Sequence, residues 1–250
     1  MPPRRKVAQD PGAAGVDQPD ERLSSATENY LLSLYTLWED AEAPTVTQLT
    51  DALKQLPSTE ELGTSVPSVA GMIRRMQRQR LVEIGQDKRI RLTKRGLEGG
   101  EDIARRHRLA EWLVVQILGM DLHRAYIEAH RLEHGISPEL EAKLMEKLDY
   151  PKKSPFGRSI PGTGQPTIPA DAIPLDTATL NVTYTVERVP EADEQLIKFL
   201  SESLIIPEHP VKVVESAPYL GILMVSTEQD KISIGYAVAK DILVRQLSED

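Results

Sequence analysis

From Ala26 onward, apolar residues return every three or four positions. Tyr30, Leu31, Leu34, Leu37 and Trp38 share one face, which predicts an amphipathic helix running to about Asp40 with Thr27 as its N-cap. A second helical pattern, Val46 to Leu56, turns Leu49, Leu53 and Leu56 inward and is followed by a polar loop, Pro57 to Gly63. The third opens at Ser65, places Pro67 in its first turn where a missing N–H costs nothing, and carries Val69, Met72, Ile73 and Met76 on one side. The period then switches from helical to alternating. Leu81-Val82-Glu83-Ile84 and Ile90-Arg91-Leu92 flank Gly85-Gln86-Asp87-Lys88, two short strands about a tight turn. Three helices and a hairpin in this order make a winged helix-turn-helix, assigned to residues 22–95.

The helical period resumes from Thr93 to about Lys147, with Ile103, Leu109, Trp112, Leu113, Val115, Ile117 and Leu118, then Ala125 to Leu132, with Gly135 as the expected C-cap residue, then Pro138 to Leu148. Apolar faces this broad on few helices predict a dimer surface over residues 96–150. Tyr150 to Asp176 holds six prolines and three glycines without any period, which reads as a linker, 151–176. Strand patterns at Leu180–Val186, Val211–Glu215, Gly221–Val225, Ile232–Tyr236 and Ile242–Leu247, around one helix at Glu191–Leu204, predict a small, partly closed barrel of the Src-homology type over 177–250. Residues 1–21, rich in Pro, Gly, Ala and charge, read as a disordered tail. The expected fold is mainly α with a small β domain.

Composition narrows the chemistry. No stretch approaches the roughly 20 apolar residues of a spanning helix, and Met1 to Gly15 has no apolar core, so a cytoplasmic protein without membrane contact is expected. With no cysteine, a metal site must use nitrogen and oxygen ligands, methionine being the one sulfur source. The net charge of −8 argues against a polyanion partner until it is read by segment. Between Arg74 and Arg95 nine basic residues stand against two acidic ones, directly on and after the third helix.

In a helix-turn-helix unit, the start of the second helix meets base edges and the flanking basic groups meet phosphates. Ser65, Pro67, Ser68 and Gly71 occupy that front. They can touch thymine methyls and make a few hydrogen bonds, without the forked side chains that read guanine or adenine. Arg74, Arg75, Arg78, Lys88, Arg89 and Arg91 would neutralise phosphates. Two further constellations lie on the long helices: His107 with Glu111 at i, i+4, and His130, Glu133 and His134 at i, i+3 and i+4. Imidazole with carboxylate and no thiolate suits Mn²⁺, Fe²⁺, Co²⁺, Ni²⁺ or Zn²⁺. A bare His/Glu pair one turn apart is more often a surface pair; the triple is harder to explain that way.

Four stretches, Thr27–Tyr35, Arg105–Leu113, Glu128–His134 and Ser154–Gly162, resemble the diphtheria toxin repressor family of iron- and manganese-dependent regulators, in order and spacing, over residues 24–162. That resemblance implies a primary, activating metal site of Asn29, His130, Glu133 and His134, bridging the winged helix and the dimerisation helices. It implies an ancillary site with His107 and Glu111, where Tyr126 replaces a family histidine and Glu128, His123, or the barrel's Glu191, Glu194 or Gln195 would stand in. It also implies an anion held by Arg108 and Ser154. Amide oxygen and imidazole in place of the sulfur of the iron-type members tilt the preference to Mn²⁺ over Fe²⁺. The partner implied is a palindromic operator bound by a homodimeric repressor of metal-uptake genes.

Two other functional classes compete with that one. A metalloenzyme would use the His/Glu sites to activate water, but the chain has no His-Glu-x-x-His pair, nucleophile elbow or phosphate loop. A winged-helix protein-interaction module with a structural metal would show no salt-sensitive binding to duplex DNA.

Overall fold

The computed structural model describes residues 23–40, 43–56 and 62–247. The tail expected at 1–21 and most of the Pro57–Gly63 loop lie outside the described residues. Helix α1 (Ser25–Glu39) starts at Ser24, whose extended backbone and hydroxyl cap the Thr27 N–H. Thr27, expected as the cap, instead lies buried in the first turn with its hydroxyl 2.9 Å from Ser24 Oγ. The apolar period cannot distinguish which of two nearby hydroxyls closes the helix. Helix α2 (Val46–Leu53) opens on a reciprocal capping box between Thr45 and Gln48, and α3 (Val66–Arg78) on Ser65. Strands β1 (Val82–Ile84) and β2 (Ile90–Leu92) pair antiparallel, Val82 opposite Leu92. Their core gathers Leu31, Leu34, Leu49, Val69, Ile73, Met76, Val82, Ile90 and Ile103.

Helix α4 (Lys94–Trp112) is the spine of the molecule, about 28 Å at 1.5 Å per residue. Its first turns press into the winged helix so closely that a Cβ at Gly96 would lie 1.8 Å from the Leu81 carbonyl oxygen. Its last turns belong to a second core with Leu109, Ala110, Ala129, Ile136, Leu144, Leu148 and Ile160. The chain then widens by one turn at Leu113–Ile117, where Leu118 N–H reaches back five residues, and enters α5 (Leu122–Leu132). A single tightened turn, Glu133–Gly135, precedes α6 (Pro138–Lys147). Gly135 does not take the left-handed conformation expected of a glycine cap; the helix tightens before reaching it.

The C-terminal unit is a six-stranded antiparallel sheet in the order β3-β8-β4-β5-β6-β7. Its strands are β3 (Ile173–Pro174), β4 (Thr183–Arg188), β5 (Pro210–Ala217), β6 (Ile222–Ser226), β7 (Lys231–Gly235) and β8 (Leu243–Gln246), with α7 (Glu194–Glu202) and the short α8 (Tyr236–Ala239). Register breaks after Val186 and Val213 bend the sheet around Tyr184, Val186, Ile197, Leu200, Val225 and Val244. The fold is thus mainly helical with a small β unit.

Residues 151–162, expected as part of a linker, form a packed strap. Phe156 is fully buried in the barrel core and Ile160 in the helical core. Trp112 Nε1–H donates to the Lys153 carbonyl at 2.6 Å, and Val189 N–H to that of Phe156 at 3.0 Å. Pro and Gly content signals the absence of a regular element, not the absence of packing. Gly157 shows the tightness: its φ is +93°, and a Cβ there would lie 1.9 Å from the Glu187 carbonyl oxygen. Phe156→Ala should therefore cost about 3–5 kcal/mol, read as a lowered urea midpoint with an unchanged slope; an unchanged midpoint would remove the strap from the core.

Candidate metal centre and nucleic-acid interface

Four elements converge behind α1. Helix α4 supplies His107 and, one turn on, Glu111; α5 supplies His130; the tight turn after it supplies Glu133 and His134; α1 supplies Glu28 and Asn29. The tightened turn matters, because it swings Glu133 between the helices. Its Oε2 lies 2.5 Å from His107 Nδ1, and its Oε1 lies 3.4 Å from His130 Nδ1 and 3.5 Å from His134 Nε2. His107 Nε2 is 3.1 Å from Glu111 Oε1. His134 reaches across to the winged helix, with Nδ1 2.7 Å from Glu28 Oε2 and Nε2 3.1 Å from Asn29 Oδ1. The two sets expected as separate sites therefore meet at Glu133.

The electrostatics are those of a buried, incompletely matched cluster. Burial works against a charge on His107, but Glu133 and Glu111 outweigh it and raise its pKa to about 10. Burial likewise pushes Glu133 up, and His107 and His130 pull it down to about 2. A ligand role for His107 requires loss of that proton, so cation binding and proton release are linked. Glu28 is lowered, against burial, by His134 and Arg106.

Among the described residues, nine buried side-chain polar atoms lack hydrogen-bond geometry, and six belong to this centre: His107 Nε2, both Glu111 oxygens, both His130 nitrogens and Glu133 Oε1. An imidazole buried with neither nitrogen hydrogen-bonded is costly without a further partner. One ligand atom each from His107, His130 and Glu133 lies within 4.8 Å of the others, close enough to share one divalent cation. The residues fit a nitrogen- and oxygen-ligated metal ion.

Three of the remaining expected ligands, Glu128, Glu191 and Glu194, are engaged by arginines. Glu128 accepts from Arg124 and Arg131, and Glu194 from Arg124. Gln195 is exposed, and His123 is half-buried on α5. Glu191 is held by Arg158 at 3.1 Å. Tyr126 stands edge-on to His107 and His130, with ring centroids 5.4 and 4.6 Å away. Burial pushes its phenol well up, so it stays neutral. The expected anion pair does not form either: Arg108 forks onto Glu39 and donates to the Ser159 carbonyl, while Ser154 Oγ accepts from Phe156 N–H. Glu28, Glu39 and Arg158 were missed by sequence reasoning. For Glu28 a signal existed, an acid beside Asn29 in the first turn of α1; for the others the pairing spans too much chain.

On the opposite side of the winged helix, Ser65, Val66, Pro67 and Ser68 are exposed at the start of α3, and Gly71 is half-buried one turn on. Ser65 Oγ is committed to its cap and to Ser68 Oγ at 2.9 Å. Arg74, Arg75, Arg78 and Lys88 are exposed cations. Two expected phosphate contacts are partly occupied within the chain: Arg91 forks onto Asp87, and Arg89 donates to the Ala43 carbonyl.

Residues 93–162 match the metal binding and dimerisation domain of iron dependent repressors, and residues 173–246 match the FeoA domain. The diphtheria toxin repressor of Corynebacterium glutamicum is 37% identical over 143 residues, 57% of this chain and 59% of that protein. The chain thus aligns with under two thirds of that relative's length. The iron-dependent repressor IdeR of Mycobacterium tuberculosis is 28% identical over 237 residues, 90% of this chain and 99% of that one. A manganese-dependent transcriptional repressor solved in complex with manganese superposes with a TM-score of 0.75 at 27% identity, over 88% of this chain and all of the other. The manganese regulator SloR superposes with 0.72 at 25% identity, over 90% of this chain and all of that one. The fold is a winged helix followed by a helical core that matches a metal binding and dimerisation domain and a barrel that matches the FeoA domain. The chain is similar to diphtheria toxin repressors and iron-dependent repressors over the parts matched, and these relatives are named as repressors and not as enzymes.

Removing His130 tests the centre directly. His130→Ala should weaken Mn²⁺ or Co²⁺ binding by more than the roughly 10–100-fold that loss of an outer partner costs, read by competition calorimetry. Wild-type affinity in the variant would exclude His130 as a ligand.

Proposed function

We propose that this chain is a homodimeric transcriptional repressor of metal-uptake genes, activated by Mn²⁺ in preference to Fe²⁺, with other divalent ions able to act in vitro. One observation carries the reading: His134, on the turn after α5, reaches Glu28 and Asn29 of the winged helix from beside the unsatisfied His130 and Glu133. A bound divalent cation would supply the positive charge these carboxylates and imidazoles share. Asn29, His130, Glu133 and His134 are the primary ligands in this reading, with His107 drawn in through Glu133 and Glu111 behind it.

Asn29 moves with the winged helix, and the other ligands move with the dimerisation helices. Holding them together fixes the angle of α1 on α4 and α5, and hence the distance between the two α3 copies of a dimer. Loss of that restraint adds an ordering cost before any operator contact forms. The homodimer reading rests on the matched dimerisation domain and on the exposed Leu118, Met120, Leu132 and Leu140. The operator reading rests on the small, exposed front of α3 and on the cations flanking it, with a two-fold symmetric protein calling for a palindromic site. The manganese preference rests on a donor set of oxygen and nitrogen alone, and on the manganese-named relatives beside the iron-named ones.

Metal-free protein titrated with Mn²⁺ should gain affinity for a palindromic duplex, followed by fluorescence anisotropy. His134→Ala should abolish that gain while the dimer stays folded. Equal affinity in the presence of a chelator would make the metal structural and end the reading. Arg74→Ala and Arg78→Ala should each lower the slope of log affinity against log salt by about 1, measured in the same assay.

A further inference from the structure

A second buried polar cluster lies at the other end of α1, and it joins all three modules. Glu39 and Asp40 end α1; Arg108 comes from α4, Arg158 from the strap, and Arg188 and Glu191 from the end of β4 and the turn after it. Arg158 is its centre. Its Nε donates to Glu191 at 3.1 Å, one terminal nitrogen lies 3.4 Å from Glu39 and 3.5 Å from Asp40, and the other lies 3.3 Å from Asp40. Arg108 forks onto the same Glu39, and Arg188 lies 2.8 Å from Asp40. Three carboxylates from two modules meet one planar cation, and all three of its nitrogens are used, a division of donors that lysine cannot reproduce.

The strap is built to deliver that guanidinium. Phe156 anchors it in the barrel core and Ile160 in the helical core, with Gly157 turning tightly between them and the Ser154 N–H holding the Arg158 carbonyl at 2.7 Å. The charges also close. Arg108, Arg158 and Arg188 balance Glu39, Asp40 and Glu191, so a divalent ion entering here would leave an excess of two positive charges in a poorly solvated crevice.

We propose that Arg158 is a built-in cation that docks the C-terminal barrel onto α1 and α4 without a metal ion, so that the barrel stays clamped in the metal-free protein. Arg158 is a positioning residue in this scheme: it holds the C-terminal end of α1 while the metal centre holds the other. The clamp stands apart from the choice of metal and operator, and its test does not use DNA.

The experiment is small-angle scattering and limited proteolysis of the full chain in chelator, for wild type, Arg158→Met and Arg158→Lys. Wild type should keep one radius of gyration with and without Mn²⁺. Arg158→Met should expand in chelator and be cut within residues 161–172 at least roughly a hundredfold faster, as expected when a buried ion pair loses one partner. Arg158→Lys should fall between the two, a grading that a merely space-filling role would not produce. Far-UV circular dichroism checks that Arg158→Met is folded; if it is not, Glu191→Gln carries the same expectation from the barrel side. An Arg158→Met protein, or its Glu191→Gln substitute, as compact and protease-resistant as wild type overturns the proposal. So does a wild type that expands in chelator and contracts only with metal.

Discussion

Ionisable and amide groups buried on a helix must find partners on whatever packs against it, and α1 carries such groups at both ends. Glu28 and Asn29 sit in its first turn, Glu39 and Asp40 at its last, and of these only Asp40 retains substantial solvent contact. Breaking a buried ion pair costs about 3–5 kcal/mol, so each group dictates where another module stands. Arg106 and His134 answer Glu28; Arg108 and Arg158 answer Glu39. The orientation of the winged helix on the rest of the molecule follows from these four matches more than from the apolar stripe of α1, which is shared with α2, α3 and the front of α4 inside one module.

What was legible in the sequence followed period. The stripes of α1, α3, α4 and α5, the alternation of the hairpin and the short strands of the barrel all come from repeats of 3.6 or 2 residues, and the structure has each of them. The triple His130, Glu133 and His134 was visible for the same reason, although a tightened turn rather than a helix presents its last two members. Matches between distant residues carry no period. Arg108 finds Glu39 across 69 positions and Arg158 finds it across 119, so a basic residue in a Pro- and Gly-rich stretch read as linker. The same limit hid the meeting of His107 with Glu133, 26 residues apart, which joins two ligand sets that spacing alone kept separate.

The two ends of α1 differ in one physical respect, and the difference assigns their roles. At the C-terminal end positive and negative groups are equal in number and nearly all hydrogen-bonded, so nothing is gained there by a further ligand. In the metal centre, which meets the other end of α1 through His134, the imidazoles of His107 and His130 and the carboxylates of Glu111 and Glu133 keep six buried atoms without hydrogen bonds. A group that is already matched gives no differential affinity to a ligand, whereas an unmatched one does, and only differential affinity can shift a conformational equilibrium. In the proposed reading, the satisfied end is the pivot and the unsatisfied end the sensor. A helix of 15 residues, about 22 Å at 1.5 Å per residue, is the lever between them. Small displacements of Asn29 about a fixed Glu39 would be carried to the rest of the winged helix because α1 shares a single close-packed core with α3.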